Sequence, residues 1–256
     1  MKKILASDFD GTLFQKFKLT EKNRQAINRF RKENQFIIAT GRNKQILDAA
    51  CKKYRFEKDM LIATNGAWIE TNDYTIKKTI SNTLTDEVYG LLKNEVAHFS
   101  TFDENKRYTA FSHQNRKISF ILWFIRSFLL QETLEKRYHN QDVLMIEIVG
   151  FDKENTAHAR KIIEKNFSDI FEISGSSMYF DLTIKGANKC EALKEIQSYY
   201  QIKNEDMYSI GDSENDYEML EHFNGFGIKK HKGIENHAKI LVDTVDEAIE
   251  ILLKEE

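Results

Sequence analysis

The stretch that most restricts the fold of this chain is its first thirteen residues. Ile4-Leu5-Ala6 is an apolar run of the kind that makes a buried parallel strand. It leads into Asp8-Phe9-Asp10-Gly11-Thr12-Leu13, so two acids stand where the run ends. In an extended backbone residues i and i+2 point the same way, which lets Asp8 and Asp10 aim at one spot. Two carboxylates so crowded repel unless a cation lies between them, and hard oxygen ligands in small number suit Mg²⁺. One carboxylate of such a pair can attack phosphorus and carry an aspartyl-phosphate, while the other shuttles protons for the leaving group and for water. Gly11 lets the backbone turn sharply and present N–H groups to an anion. Ordinary turn chemistry explains the same Asp-Gly pair by itself, because Asp-Gly is a common hairpin signal and Asp a routine helix cap. The rest of the chain decides between the two.

Beyond Leu13 the chain settles into a rhythm of strand and helix. Thr20 reads as the N-cap of a helix to about Lys32, with Ala26, Ile27 and Phe30 on one face. A strand over 36–39 runs into Thr40-Gly41-Arg42, and a helix from about Asn43 to Tyr54 comes next. The strand at 61–63 leads to Thr64-Asn65-Gly66-Ala67, where Asn-Gly predicts a hairpin back through Glu70. Strands alternating with ten-residue helices imply βαβ units and a parallel sheet. Between about Asn82 and Lys185 the texture changes to an α+β module: a helix over 85–96, short strands around Phe99 and Tyr108, an apolar helix over 118–130, a strand over 143–149, a helix over 154–166 and strands around Phe171 and 178–184. From Asn188 the βα rhythm resumes. Asn188 with Glu191 predicts a helix start, a strand over 207–210 ends in Gly211-Asp212-Ser213-Glu214-Asn215-Asp216, and strands at 225–228 and 240–243 precede a helix over 245–254.

Composition narrows the function. The net charge is −2, so no global basic field recruits nucleic acid or anionic lipid. The 118–130 segment is too short to span a bilayer and contains Arg126. No signal pattern opens the chain, and the expectation is a soluble cytoplasmic protein, monomer or homodimer, without nucleic-acid or membrane partners. Cys51 and Cys190 have neither metal-ligand spacing nor a disulfide framework and are expected to be reduced, helical and structural. The seven histidines are scattered, which argues against a histidine zinc site.

Asp8 and Asp10, Thr40, and Asp212 each lie just past the carboxyl end of a predicted strand, and Lys189 lies at a helix start. That edge of an open α/β sheet is where ligands bind. Three acids suit a cation; a hydroxyl and an ammonium suit a phosphate. Phosphoryl transfer needs mainly positioning and charge neutralisation, and this set supplies both. Taken one at a time, Ser213-x-x-Asp216 is a capping box, Thr40-Gly41 a strand-to-helix turn and Lys189 one surface lysine among many. Their joint order favours the site.

Together Asp8-x-Asp10-Gly11-Thr12-Leu13, Thr40-Gly41-Arg42, Lys189 and Gly211-Asp212-x-x-Asn215-Asp216 resemble the four motifs of the haloacid dehalogenase superfamily. Their order and the size of the insert resemble its Cof-type phosphatases with a type IIB cap, as does the Asn65-Gly66-Ala67 turn. The resemblance implies an α/β fold: a Rossmann-like parallel-sheet core from residues 1–81 and 186–256, and an inserted α+β cap over 82–185 that closes on the site and chooses the substrate. It implies Asp8 as nucleophile and Asp10 as general acid/base, with Mg²⁺ held by Asp8, the Asp10 main-chain carbonyl and Asp212. Gly11, Thr12, Thr40, Gly41, Lys189 and Asn215 would bind the phosphate or substrate, and Asp216 would orient Lys189 or a water on the metal. The presence of Asp10 argues against dehalogenation.

The expected activity is Mg²⁺-dependent hydrolysis of a small soluble phosphate, such as a sugar phosphate or a phosphorylated cofactor. A phosphomutase is the first rival; it would need paired basic residues, for which Lys106, Arg107, Arg116 and Lys117 are candidates if they are not simply solvated surface. A non-enzymatic phosphate-binding or regulatory role is the second, disfavoured because every catalytic position is filled. Two departures from the family stand out. Cys190 follows Lys189 where glycine is usual, and Lys229-Lys230-His231-Lys232 replaces a Gly-Asn-Ala turn. That basic run reads as a solvated loop or, more sharply, as a second anion subsite.

Overall fold

The structure is a computed structural model that describes residues 2–16, 18–104, 106–111, 141–229 and 232–254. Two compact units divide the chain: residues 1–76 with 187–256, and residues 77–186.

The first unit is built on an eight-stranded sheet. Its strands are β1 (Ile4–Ser7), β2 (Gln35–Ala39), β3 (Met60–Ala63), β4 (Trp68–Glu70), β5 (Thr75–Lys77), β11 (Met207–Gly211), β12 (Asn224–Ile228) and β13 (Ile240–Val242), in the order β13-β12-β11-β1-β2-β3-β4-β5. From β13 through β3 all neighbours are parallel; β4 turns back antiparallel on β3. β1, the apolar run at the start of the chain, thus lies between β11 and β2, buried along its length. Such continuous apolar strands arise when a parallel sheet is covered on both faces.

Helices α1 (Glu21–Phe30), α2 (Lys44–Tyr54), α5 (Lys189–Tyr200), α6 (Tyr217–His222) and α7 (Val245–Lys254) belong to this unit. Thr20, Asn43 and Asn188 cap the first three, each side chain accepting an N–H three residues on. One core cluster joins Ile4, Ala6, Ile37 and Ile62 of the sheet to Leu193 and Ile196 of α5 and Met219 and Phe223 near α6. Cys190 is buried in this cluster and Cys51 half-buried on α2; both are free thiols.

The second unit has a five-stranded antiparallel sheet of β6 (His98–Phe102), β7 (Arg107–Phe111), β8 (Met145–Val149), β9 (Phe171–Gly175) and β10 (Tyr179–Ile184), ordered β7-β6-β8-β10-β9. Helices α3 (Asn82–Leu92) and α4 (Lys153–Phe167) supply Val88, Leu92, Ala159, Ile163 and Phe167 to a core with Phe99, Ile146, Ile148, Phe180 and Leu182.

Several expectations shift. The helix expected over 85–96 begins at Asn82, because Ser81 caps it by accepting the Leu84 N–H. The β3–β4 connection is a tight turn over Thr64–Gly66 with left-handed backbone at all three residues, rather than a two-residue hairpin turn. β5 and α6 were not read from the sequence: both are short, and α6 comes directly after the Ser213–Asp216 capping box. The apolar segment 118–130, Arg116 and Lys117 lie outside the described residues. Arg107 is not solvated surface: it is buried, with its guanidinium paired to Glu147 and 3.2 Å from Ser100 Oγ. Among the described residues no helix is long and apolar enough to cross a membrane.

Candidate active site

The parallel strands bring their carboxyl ends to one edge, and the motif residues gather there. β1 stops at Ser7, yet Asp8 keeps its N–H on Ile210 O at 2.9 Å, so its side chain is fixed beside β11. Lys189, in the first turn of α5, reaches Asp8 Oδ1 at 2.7 Å and Asp216 Oδ1 at 2.8 Å. All three are essentially removed from solvent, Lys189 at 1% exposed and Asp216 at 0%. The other oxygen of Asp216 accepts the Ser213 N–H at 3.1 Å, as the predicted capping box requires, and also the Asp212 N–H at 3.1 Å. Asp216 is therefore held from both sides and, in turn, aims Lys189. Thr12 donates to Asp212 Oδ1 at 2.6 Å, so its hydroxyl positions an acid instead of facing an anion. Gly11 has φ +91°, and a Cβ there would come within 2.3 Å of Asp212 Oδ2. Only glycine permits that approach.

Asp8, Asp212 and Asp216 bring carboxylate oxygens within 4.8 Å of one another. Three buried acids face one ammonium. Burial pushes the Asp8 carboxyl well above the usual range, and the charges of Asp216 and Asp212 push the same way while Lys189 opposes them. For Lys189, burial works against the ammonium, but Asp216 and Asp8 outweigh it and raise its pKa. Asp8 Oδ2 is buried without a hydrogen-bond partner. An orphaned carboxylate oxygen in an electron-rich pocket is the donor set a hard cation takes, so these residues fit a bound metal ion.

The structure separates Asp10 from this cluster. Strand alternation predicts that Asp8 and Asp10 aim at one spot, but the strand ends at Ser7 and the alternation ends with it. The Asp10 carboxylate is half exposed and takes two bonds from Arg42, Nε to Oδ2 and Nη2 to Oδ1, each 2.6 Å. The guanidinium also lies over the rings of Phe9 at 4.9 Å and Phe14 at 5.6 Å, which fixes it further. What remains of Asp10 for a metal is its main-chain carbonyl.

Thr40 is buried just past β2, its N–H on Ile62 O at 2.8 Å and its Oγ1 accepting the Arg42 N–H at 3.1 Å. Gly41 passes so close to Asn65 that a Cβ would lie 3.0 Å from Oδ1. Asn215 accepts from Ser213 Oγ at 2.8 Å and donates from Nδ2 to Asn65 Oδ1 at 3.2 Å. Arg42 and Asn65 are two contributors to which sequence reasoning assigns no role. The signals for them are their places in the Thr40-Gly41-Arg42 motif and in the Asn65-Gly66-Ala67 turn, neither of which assigns them a task. Lys229, in the basic run after β12, pairs with Asp243 at 3.6 Å, and Lys230 and His231 lie outside the described residues.

Comparison with known proteins agrees with this architecture. The family model for haloacid dehalogenase-like hydrolases matches residues 5–250. An uncharacterized protein of Mycoplasma capricolum is 28% identical over 262 residues, covering 96% of this chain and 98% of that protein. The 5-amino-6-(5-phospho-D-ribitylamino)uracil phosphatase YwtE of Bacillus subtilis is 25% identical over 254 residues, covering 86% of this chain and 84% of that protein. The solved structure of a subclass IIB sugar phosphatase has the same fold, with a TM-score of 0.80 at 21% identity over 98% of this chain and 99% of its own. With the motif residues gathered at one sheet edge and the family match spanning nearly the whole chain, this protein belongs to the haloacid dehalogenase-like hydrolases.

Proposed function

We propose that this hydrolase is a Mg²⁺-dependent phosphomonoesterase that works through an aspartyl-phosphate on Asp8. The observation that carries the reading is Asp8 itself: Oδ1 is held by Lys189 while Oδ2 is buried and unpartnered among two further acids. Asp8, Asp212 and the Asp10 carbonyl would hold the ion, which when bound neutralises charge on the phosphoryl oxygens.

The residues then divide the work. Thr40 Oγ1, Lys189 Nζ and Asn215 Nδ2 hold the phosphoryl group against Asp8. An Asp8 carboxylate oxygen forms a bond to phosphorus as the ester P–O bond breaks, and Asp10 gives its proton to the departing oxygen. For that step the Asp10 carboxyl turns away from Arg42, which holds both of its oxygens in this structure. Asp10 next takes a proton from water as the water oxygen attacks phosphorus. The bond to Asp8 breaks, inorganic phosphate leaves and both carboxyl groups are restored. The unit at 77–186 serves as the cap that selects the substrate. A small organic phosphate is supported by the activities named for the YwtE phosphatase and for the subclass IIB sugar phosphatase. The phosphomutase alternative loses support because the charge of Arg107 is spent on Glu147.

Acid quenching during turnover of a phosphate monoester, and then peptide mass spectrometry, tests the covalent step. The reading expects a phosphoryl group on the peptide containing Asp8 and none in Asp8→Asn. Phosphate release that proceeds at the wild-type rate in Asp8→Asn would overturn it.

A further inference from the structure

The turn that joins β3 to β4 does more than reverse the chain. Thr64, Asn65 and Gly66 have φ values of +47°, +52° and +101°, three left-handed residues in succession. A β-branched threonine is strained there, and such strain persists where surrounding structure requires it. The turn is also buried, with Asn65 only 4% exposed, whereas a hairpin tip is ordinarily solvated.

Three elements converge on it. The Thr64 N–H donates to Arg42 O at 2.9 Å and the Asn65 N–H to Thr40 O at 3.0 Å, which fixes the loop that carries Thr40. Gly66 lies against the backbone of Asn188, where a Cβ would come 2.3 Å from the carbonyl oxygen, next to Lys189. The Asn65 side chain accepts one N–H of Asn215. Ser213 occupies the carbonyl of that amide, so the Asn215 plane is set by two neighbours and its second N–H has a defined direction. Asp216 Oδ2 lies 3.3 Å from the same Ser213 hydroxyl, but the main holds on the acids are different: Lys189, Thr12 and backbone N–H groups.

From this we propose that Asn65 is a positioning residue for the phosphate half of the site, acting through Asn215 and leaving the metal half alone. The proposal deepens the phosphomonoesterase reading and rests on it. It is tested with Asn65→Gly, which keeps the left-handed backbone and removes the side chain, together with Asn215→Ala and the double variant. The readouts are KM and kcat for a phosphate monoester, the Kd of inorganic phosphate by calorimetry with Mg²⁺ present, and the rise in Tm on adding Mg²⁺ alone.

The expected result is about tenfold weaker phosphate binding and a raised KM in Asn65→Gly, the loss of one positioned hydrogen bond. The Mg²⁺-induced rise in Tm is unchanged, and the double variant is no worse than Asn215→Ala, because the two residues act as one unit. Unchanged phosphate binding in Asn65→Gly, additive losses in the double variant, or an equal loss of the Mg²⁺ response would each overturn the proposal. Because phosphate affinity is read without turnover, a wild type that binds phosphate but hydrolyses no ester refutes the phosphomonoesterase reading and leaves the cycle to decide on Asn65. A wild type that binds no phosphate overturns both.

Discussion

At the scale of single residues, the site rests on Lys189. Its buried ammonium is bonded to both Asp8 and Asp216, and removing one partner from such a group leaves uncompensated buried charge. Lys189→Met is expected to destabilise the metal-free protein by about 3–5 kcal/mol, read by denaturant unfolding. The loss should shrink with added Mg²⁺ and at acidic pH, where Asp8, its carboxyl pushed up by burial, takes a proton. The cysteines make the opposite case. Burial pushes the thiols of Cys51 and Cys190 up to about 11, so thiolate is scarce at neutral pH. Alkylation of native protein near pH 8 should be roughly a hundredfold slower than that of a free thiol, and should speed up on unfolding. Since the folded pKa is the higher one, this contribution to stability is complete below the ordinary thiol range and fades as pH rises through about 11. Much of the site was legible in the sequence. Asp8, Thr40, Lys189 and Asp212 were placed by one rule, that strand ends and helix starts of a parallel sheet share an edge. The direction of the Asp10 carboxyl was not legible, since it depends on the chain leaving its strand at Ser7 and on the guanidinium of Arg42, far along the chain.

At the scale of elements, helix caps connect stability to catalysis. Asn188 accepts the Glu191 N–H at 2.8 Å and so begins α5 with Lys189 in its first turn. Asn188→Ala is expected to cost about 1 kcal/mol by thermal or denaturant unfolding. It should also lower kcat more than a comparable cap loss elsewhere, for instance Ser81→Ala at the start of α3, because α5 carries a site lysine and α3 does not. Equal kcat effects from the two cap variants would contradict this. The helices of the βα rhythm were readable because apolar stripes and polar caps agree in sequence. The Thr64–Gly66 turn was half readable: Asn-Gly announces a reversal, but its burial against Thr40 and Asn188 comes from packing between segments far apart in the chain. Arg107 failed as a surface reading for a related reason, since a charge expected in water pairs with Glu147 across the inserted sheet.

At the scale of the whole molecule, one family of hydrolases accounts for a parallel sheet with acids at its edge and an α+β unit inserted after β5. In the proposed function, this edge hydrolyses a phosphate ester with Mg²⁺. The most direct measurement is phosphate release from a panel of sugar phosphates, pyridoxal phosphate and flavin mononucleotide, with Mg²⁺ and with chelator, and with Asp8→Asn alongside. Metal-dependent release that disappears in Asp8→Asn is the predicted result, and the ranking of substrates would describe the selectivity of the inserted unit. No release from any member by pure, Mg²⁺-loaded protein, or release indifferent to chelator, would rule out a Mg²⁺-dependent phosphomonoesterase.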